Sequence, residues 1–248
     1  MPHEFEVREV IALEATPEQV WEAIATGPGL DSWFMGANEI EPGEGGRMRM
    51  TVAGQTSEAT ITTWDPPNRL AYRGDENPDG TFMAFEYIVE GRAGGTAVLR
   101  LVHSGFLGDD WQEEYDALSV GDGMYLRKLA AYLRHFPGAA AYHMFLPGRA
   151  VADAAAVWTA FKDALGLTGT VTAGDKVRLA VDGLEPTDGV VEFVHHPSFL
   201  GVRTGDGLYM FVYGRDVVVV EYHDFTEDVD GPAIERAWRT WLSRSFAD

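Results

Sequence analysis

The sequence predicts an α+β fold present in two tandem copies, the second shortened. Each copy reads as a strand, a short helix, a run of antiparallel strands and a closing helix. Three observations predict this. Several segments alternate apolar and polar residues, the period of a strand with one buried face. Others carry apolar residues at helical spacing behind a helix start signal. And ordered pieces of the first half recur, in the same order, in the second.

The elements follow along the chain. Thr16-Pro17-Glu18-Gln19 is a capping box: threonine caps, proline occupies the first helical position and glutamine reaches back. Val20, Trp21 and Ile24 then form the buried face of a short helix. Met48, Met50 and Val52 alternate with Arg47, Arg49 and Thr51, which predicts a strand. Asp65-Pro66-Pro67-Asn68 predicts a turn. Met83, Phe85, Tyr87 and Val89 share one strand face, as do Leu99, Leu101 and His103. Leu118, Tyr125, Leu126, Leu129, Leu133 and Phe136 form the stripe of a long amphipathic helix. In the second copy Pro232 opens the closing helix, whose inward face is Ile234, Trp238, Trp241 and Leu242.

The repeat rests on five overlays. Val20-Trp21 lies over Val157-Trp158, Gly45–Val52 over Gly174–Val181, and Pro67–Arg73 over Pro197–Arg203. The segment ending at Phe106 lies over the one ending at Phe225, and a one-residue gap sets His103 opposite His223. Leu133 then matches Leu242. The predicted units are residues 1–136 and 137–248, joined through His135–Ala141, where a proline and a glycine stop a helix. Trp21 to Leu133 spans 112 positions and Trp158 to Leu242 only 84, so 28 are missing. The overlays place the losses after the first helix, between the middle strands and before the last helix.

The chain holds 19 basic and 39 acidic residues, a net charge of −20. Phosphate backbones and anionic membranes are repelled by such a surface, so neither nucleic acid nor a membrane is an expected partner. Both halves share the acidic excess, so it marks no particular site. The absence of cysteine excludes a disulfide framework, a thiol nucleophile and a thiolate metal site. No apolar run reaches the ~18 residues of a membrane span, and Met1–Glu9 lacks a secretory signal pattern, which predicts a cytoplasmic protein.

Taken in order, several motifs carry a family resemblance. They are Ala15-Thr16-Pro17 with Val20-Trp21, Asp31-Ser32-Trp33-Phe34, Gly45-Gly46, Trp64 through Leu70, and Thr96 through Phe106. Together they resemble START-like (SRPBCC) domains, specifically the branch homologous to the activator of the heat-shock chaperone ATPase. The resemblance covers residues 5–136 directly and 142–246 through the repeat. It implies a helix-grip fold, in which a curved antiparallel sheet wraps the long C-terminal helix around a cavity. Superfamily members bind hydrophobic small molecules there, and some cyclise or dehydrate polyketides. Many relatives carry a Gly-Trp pair at the start of the last helix, whereas this chain has Gly121-Asp122-Gly123-Met124.

With that fold, the expected ligand-binding residues are Trp33, Phe34, Met50, Trp64, Tyr72, Phe85, Tyr87, Leu101, His103, Tyr125 and Leu129, with Met48 and Met83 in the wider set. Plain core packing is the competing reading of these side chains. His103 is the one catalytic candidate, as a general base paired with a nearby tyrosine. The repetition at His223 favours instead a structural role, such as fixing a turn before Gly105-Phe106. His195 and His196 are adjacent and Glu192 lies three residues earlier, so their strand directions disagree and no metal site is expected. Asp109, Asp110, Glu113, Glu114 and Asp116 read as a solvated helix start. Gly43–Gly46 precedes a strand, so it does not cradle phosphate, and no cofactor is expected. The first reading is therefore a small hydrophobic molecule bound without turnover in the first copy, the second copy serving as packing. The alternatives are a cyclase or hydratase using His103, and an acidic docking module for a protein partner such as a chaperone.

Overall fold

In the computed structural model, which describes residues 2–246, the Thr16 hydroxyl accepts the Gln19 backbone N–H at 3.3 Å. The Gln19 side chain accepts the Thr16 N–H at 2.9 Å in return. This box starts helix α1 (Pro17–Ala25), which buries Val20, Ala23 and Ile24. Thr26 caps again at once, accepting the Gly29 N–H at 3.0 Å, and begins a short second helix, α2 (Gly27–Asp31), that the apolar pattern does not announce.

The chain divides between Ala140 and Ala141 into two compact units. The first adds strands β1 (His3–Leu13), β2 (Ala37–Ile40), β3 (Arg47–Val52), β4 (Gln55–Asp65), β5 (Arg69–Gly74), β6 (Phe82–Arg92) and β7 (Thr96–Leu107), then helix α3 (Trp111–His135). They form one antiparallel seven-stranded sheet in the order β1-β7-β6-β5-β4-β3-β2. Along β7 every second residue from Ala97 to Leu107 is buried, the alternation expected of a sheet with one face on the core. Leu126, Leu129 and Leu133 of α3 are buried, together with Met124 and Tyr132.

The second unit holds β8 (Tyr142–Ala150), α4 (Ala154–Ala164), β9 (Lys176–Leu179), β10 (Thr187–His195), β11 (Phe199–Thr204), β12 (Gly207–Gly214), β13 (Val217–Asp224) and α5 (Gly231–Ser245). Its sheet order, β8-β13-β12-β11-β10-β9, is that of the first with one strand fewer. The duplication extends to single hydrogen bonds. Gly45 N–H donates to the Ile61 carbonyl and Gly174 N–H to the Val191 carbonyl, both at 2.8 Å. Asn68 to Asp65 and Ser198 to His195 close the two matching turns, both at 2.7 Å. Each unit also bulges at the matching place, between Ile61 and Thr63 in β4 and between Val191 and Phe193 in β10, and the second unit has a further bulge between Val217 and Val219 in β13. Among the described residues, no helix is long and apolar enough to cross a membrane.

Two expectations about the repeat need correction. The third deletion does not precede the closing helix; it lies in the helix itself, 25 residues in α3 against 15 in α5. The extra turns of α3 cover an added apolar cluster in the first unit, where Trp111, Tyr115 and Leu118 pack on Phe5, Val7 and Leu107. The second correction concerns His223. In β7, His103 pairs with Phe85, and the matching pair in the second unit is Tyr222 with Tyr209. Tyr222 therefore holds the place of His103, and His223 faces away from the core lined by Val218, Val220 and Tyr222. The physical reason is the two-residue period of a strand: a one-residue gap in an overlay moves a side chain to the opposite face.

Trp238 is fully buried among Tyr209 at 5.7 Å and Phe211 at 5.6 Å between ring centroids, which makes it the central side chain of the second core. Trp238→Ala is expected to cost about 3–5 kcal/mol, read as a lowered urea midpoint. The Tyr209 phenol is pushed up to about 12, chiefly by burial and partly offset by its interaction with the Tyr222 hydroxyl. Above pH 10 the unfolded chain ionises this phenol while the folded chain does not, so stability falls as pH rises from about 10 to 12. Urea denaturation at pH 8, 10 and 11 is expected to show that fall, and Tyr209→Phe to reduce its slope.

Candidate functional site

The first unit holds a partly open cavity of about 210 Å³ between the sheet and α2, and not between the sheet and the closing helix as expected, since no residue of α3 is in its lining. Its wall is built by strand alternation. Met48 and Met50 of β3, Ala59 of β4, Tyr72 of β5, and Met83 and Phe85 of β6 point to it, with Ile40 of β2 at one edge. Leu30 of α2 and the following Phe34 close it from the helix side, and Asn38, Arg49, Ser57 and Glu58 add polar atoms. An open, more polar groove of about 690 Å³ shares Ser57, Glu58, Gly74 and Met83 with it. Tyr72 is deep in the unit yet keeps exposed ring surface, because the cavity reaches it.

One strand farther along the sheet lies a buried acid–base pair. His103, 1% exposed, has its Nδ1 at 2.9 Å from Oδ2 of Asp122 on α3. A carboxylate at that nitrogen favours the Nδ1–H tautomer and leaves Nε2 as the basic atom. Nε2 is buried and has no hydrogen-bond partner. Phe85 stacks on the imidazole with centroids 3.9 Å apart, and Phe5 meets it edge-on at 5.1 Å. The phenols of Tyr72 and Tyr87 are raised above their ordinary range, in both cases mainly by burial; the negative charge of Asp122 adds to both. They therefore stay protonated and serve as donors.

Of the residues expected to bind ligand, Phe34, Met50, Tyr72 and Phe85 line the cavity, as do Met48 and Met83 of the wider set. Tyr125 packs edge-on against Phe34 at 4.7 Å, and Tyr87 stacks beside Tyr72 at 6.3 Å. Neither is in the wall. Trp33 is core, its indole N–H donating to the Ala23 carbonyl at 2.9 Å. Trp64 meets Trp21 edge-on at 5.1 Å, and Leu101 and Leu129 are buried core residues. These four lie outside the wall: Leu101 and Leu129 belong to β7 and α3, which the lining does not reach, Trp64 is farther along β4 than Ala59, and Trp33 is turned to Ala23.

His103 does not fix a turn, because β7 runs straight on to Leu107. Gly105 keeps that path open: a Cβ there would sit 2.1 Å from the Phe82 carbonyl oxygen. The residue missed in the sequence is Asp122. It lies in the stretch Gly121-Asp122-Gly123-Met124 that the sequence already set apart, but only the structure shows which strand it faces.

The second unit, expected to serve as packing, also holds a cavity of about 210 Å³. Tyr209, Tyr222, Asp224 and Trp238 line it, and Tyr222 donates to Asp224 at 2.8 Å while stacking on Tyr209 at 3.8 Å. Trimming shortened one end of the unit and left this space in place. Elsewhere, His195 stacks on Phe199 and His196 meets Trp158, so the adjacent histidines have separate neighbours. Glu192 is engaged by Arg203 at 3.1 Å. Glu113 and Glu114 occupy the first turn of α3, with Asp110 at its N-cap.

The family model described as "Activator of Hsp90 ATPase homolog 1-like protein" matches residues 14–134. No curated protein sequence matches the chain significantly. Among solved structures, a Mesorhizobium loti protein shares 20% identity, covers 53% of this chain and 98% of its own, and gives a TM-score of 0.47. The Aha1 dimer from Colwellia psychrerythraea shares 20% identity over 52% of this chain and 96% of its own, with a TM-score of 0.43. The di-domain ARO/CYC BexL from the BE-7585A biosynthetic pathway covers 98% of this chain and 99% of its own at 14% identity, with a TM-score of 0.48. Residues 14–134, nearly the whole of the first unit, are thus similar to the Activator of Hsp90 ATPase homolog 1-like family, the START-like (SRPBCC) branch that the sequence motifs resemble.

Proposed function

We propose that the first unit binds a small, mainly apolar molecule in the cavity between the sheet and α2. The observation that carries this reading is the wall itself: Leu30, Phe34, Ile40, Met48, Met50, Met83 and Phe85 from five separate segments converge on one space. Apolar enclosure supplies affinity, and a few polar atoms supply orientation. Methionines at three positions let the wall adapt to shape. Tyr72, in the wall and hydrogen-bonded to Tyr87, supplies the hydroxyl that orients the ligand. The volume, about 210 Å³, is below the roughly 300–1,000 Å³ of sites for drug-sized ligands, so a molecule of one or two rings suits it.

Prodan, a naphthalene ketone whose emission moves to the blue in apolar surroundings, is a suitable probe. The wild-type chain is expected to bind it, and Ala59→Phe to abolish binding by filling the space while leaving the far-ultraviolet circular dichroism unchanged. Tyr72→Phe is expected to weaken binding about fivefold, the loss of one hydrogen bond worth about 1 kcal/mol. Undiminished binding by a folded Ala59→Phe chain sinks the reading.

The His103–Asp122 pair supports a second reading, proton transfer on a bound carbonyl compound as in dehydration or cyclisation. It ranks second because His103 lies on β7, outside the wall, with Phe85 stacked upon it. Dehydration of a β-hydroxy ketone, 4-hydroxy-4-phenylbutan-2-one, is read by absorbance of the enone. If the pair is catalytic, His103→Gln and Asp122→Asn each lower the rate by at least about a hundredfold, with prodan affinity retained. A wild-type rate no faster than buffer rules it out for this substrate class.

A further inference from the structure

We propose that His143, Glu221 and His223 of the second unit form a site for one divalent transition-metal ion, with zinc the best match. The site follows from strand register. In the antiparallel pair β13–β8, His223 is directly opposite His143, and Glu221 is two residues before His223. Directly paired residues, and residues two apart, share a sheet face. All three side chains therefore leave the sheet together, on the face opposite Val220 and Tyr222.

The side-chain geometry agrees. His143 Nε2 is 3.0 Å from Glu221 Oε1, and the two imidazole rings are 4.3 Å apart. One ligand atom from each residue can be chosen so that all lie within 4.8 Å of one another, and this is the one such trio of His, Cys, Asp or Glu among the described residues. Zinc bonds of about 2.0–2.2 Å need ligand atoms roughly 3–3.5 Å apart, which the His143–Glu221 pair already meets, and metal binding would draw His223, now within 4.8 Å, to the same distance. Two imidazoles and one carboxylate are an established donor set for zinc and for ferrous iron, and three protein ligands leave a position for water or another ligand. Glu221 and His223 are 1% and 0% exposed, and His143 is the more accessible member.

The fold does not require these residues. Since Tyr222 holds the place of His103, the first-unit positions matching Glu221 and His223 are Val102 and Ser104, and Ser104 pairs with Glu6 as His223 pairs with His143. The same sheet is thus built in the first copy with none of the histidines. Their convergence in the second copy is a feature of that copy, separate from the cavity site proposed above.

Cobalt is the probe, because a cobalt ion held by nitrogen and oxygen ligands reports its coordination in visible absorbance, and zinc then displaces it. The full chain, stripped with dipicolinate and dialysed, is expected to take up one equivalent of Co²⁺ with a coordination spectrum, and to lose it to one equivalent of Zn²⁺. His143→Ala and Glu221→Gln are each expected to weaken uptake by at least about tenfold, and the double variant His195→Ala/His196→Ala to leave it unchanged. His223→Asn extends the series; should it fail to fold, the more exposed His143 and the near-isosteric Glu221→Gln still decide. The proposal is overturned if the folded wild-type chain gives no stoichiometric cobalt spectrum, or if uptake persists undiminished in folded His143→Ala and Glu221→Gln.

Discussion

Everything in each unit depends on its first strand pairing with its last. β1 lies along β7 over their whole length, and β8 lies along β13, though about a hundred residues separate the partners in the first unit and about seventy-five in the second. This pairing brings the N-terminal strand beside the strand that feeds the closing helix. In the first unit it sets Val7 next to His103, just before α3 returns Asp122 to the same imidazole. In the second it sets His143 next to His223. The His143–His223 cluster is a direct consequence of this long-range backbone contact, whose loop-closure entropy is offset only by the sheet it completes.

Local signals were legible in the sequence wherever a short stretch decides its own geometry. The Thr16 box, the Asp65–Asn68 turn and the alternation in β3, β6 and β7 need no distant partner, and all three appear. Helix α2 was not legible, because Gly27, Pro28 and Gly29 are poor helix formers and the helix rests on a cap and on burial of Leu30. The wall of the cavity was partly legible. Parity identifies which residues of a strand share a face, so Met48, Met50 and Phe85 were found. It does not say how far across the sheet a cavity extends, so Leu101 was included and Ile40 omitted. Asp122 needed the register between a helix and a strand 19 residues earlier, which no local pattern carries.

The two units show how one scaffold accepts different chemistry at matching places. Phe85 stacked on His103 in the first becomes Tyr209 stacked on Tyr222 in the second, with nearly equal ring separations of 3.9 and 3.8 Å. The stacking geometry is set by direct cross-strand pairing, so it survives replacement of both side chains. The polar partner moves instead. His103 is held by a carboxylate from the helix, whereas Tyr222 donates to Asp224, two residues on along its own strand. The first arrangement depends on where α3 sits, and the second does not, which fits the shorter α5 of the trimmed copy.

Phe85 links the two readings of the first unit. Its ring is part of the cavity wall and also the stacking partner of His103, so a ligand that presses on the wall acts directly on the imidazole. While Phe85 stays in place, Nε2 of His103 remains behind an aromatic ring, without a partner. A buried acceptor left unpaired costs about 1–3 kcal/mol, so any ligand group that donates to Nε2 recovers that amount. The two proposed readings of this unit therefore differ by one side-chain movement: an apolar ligand has no reason to displace Phe85, and a hydrogen-bond donor on the ligand supplies one.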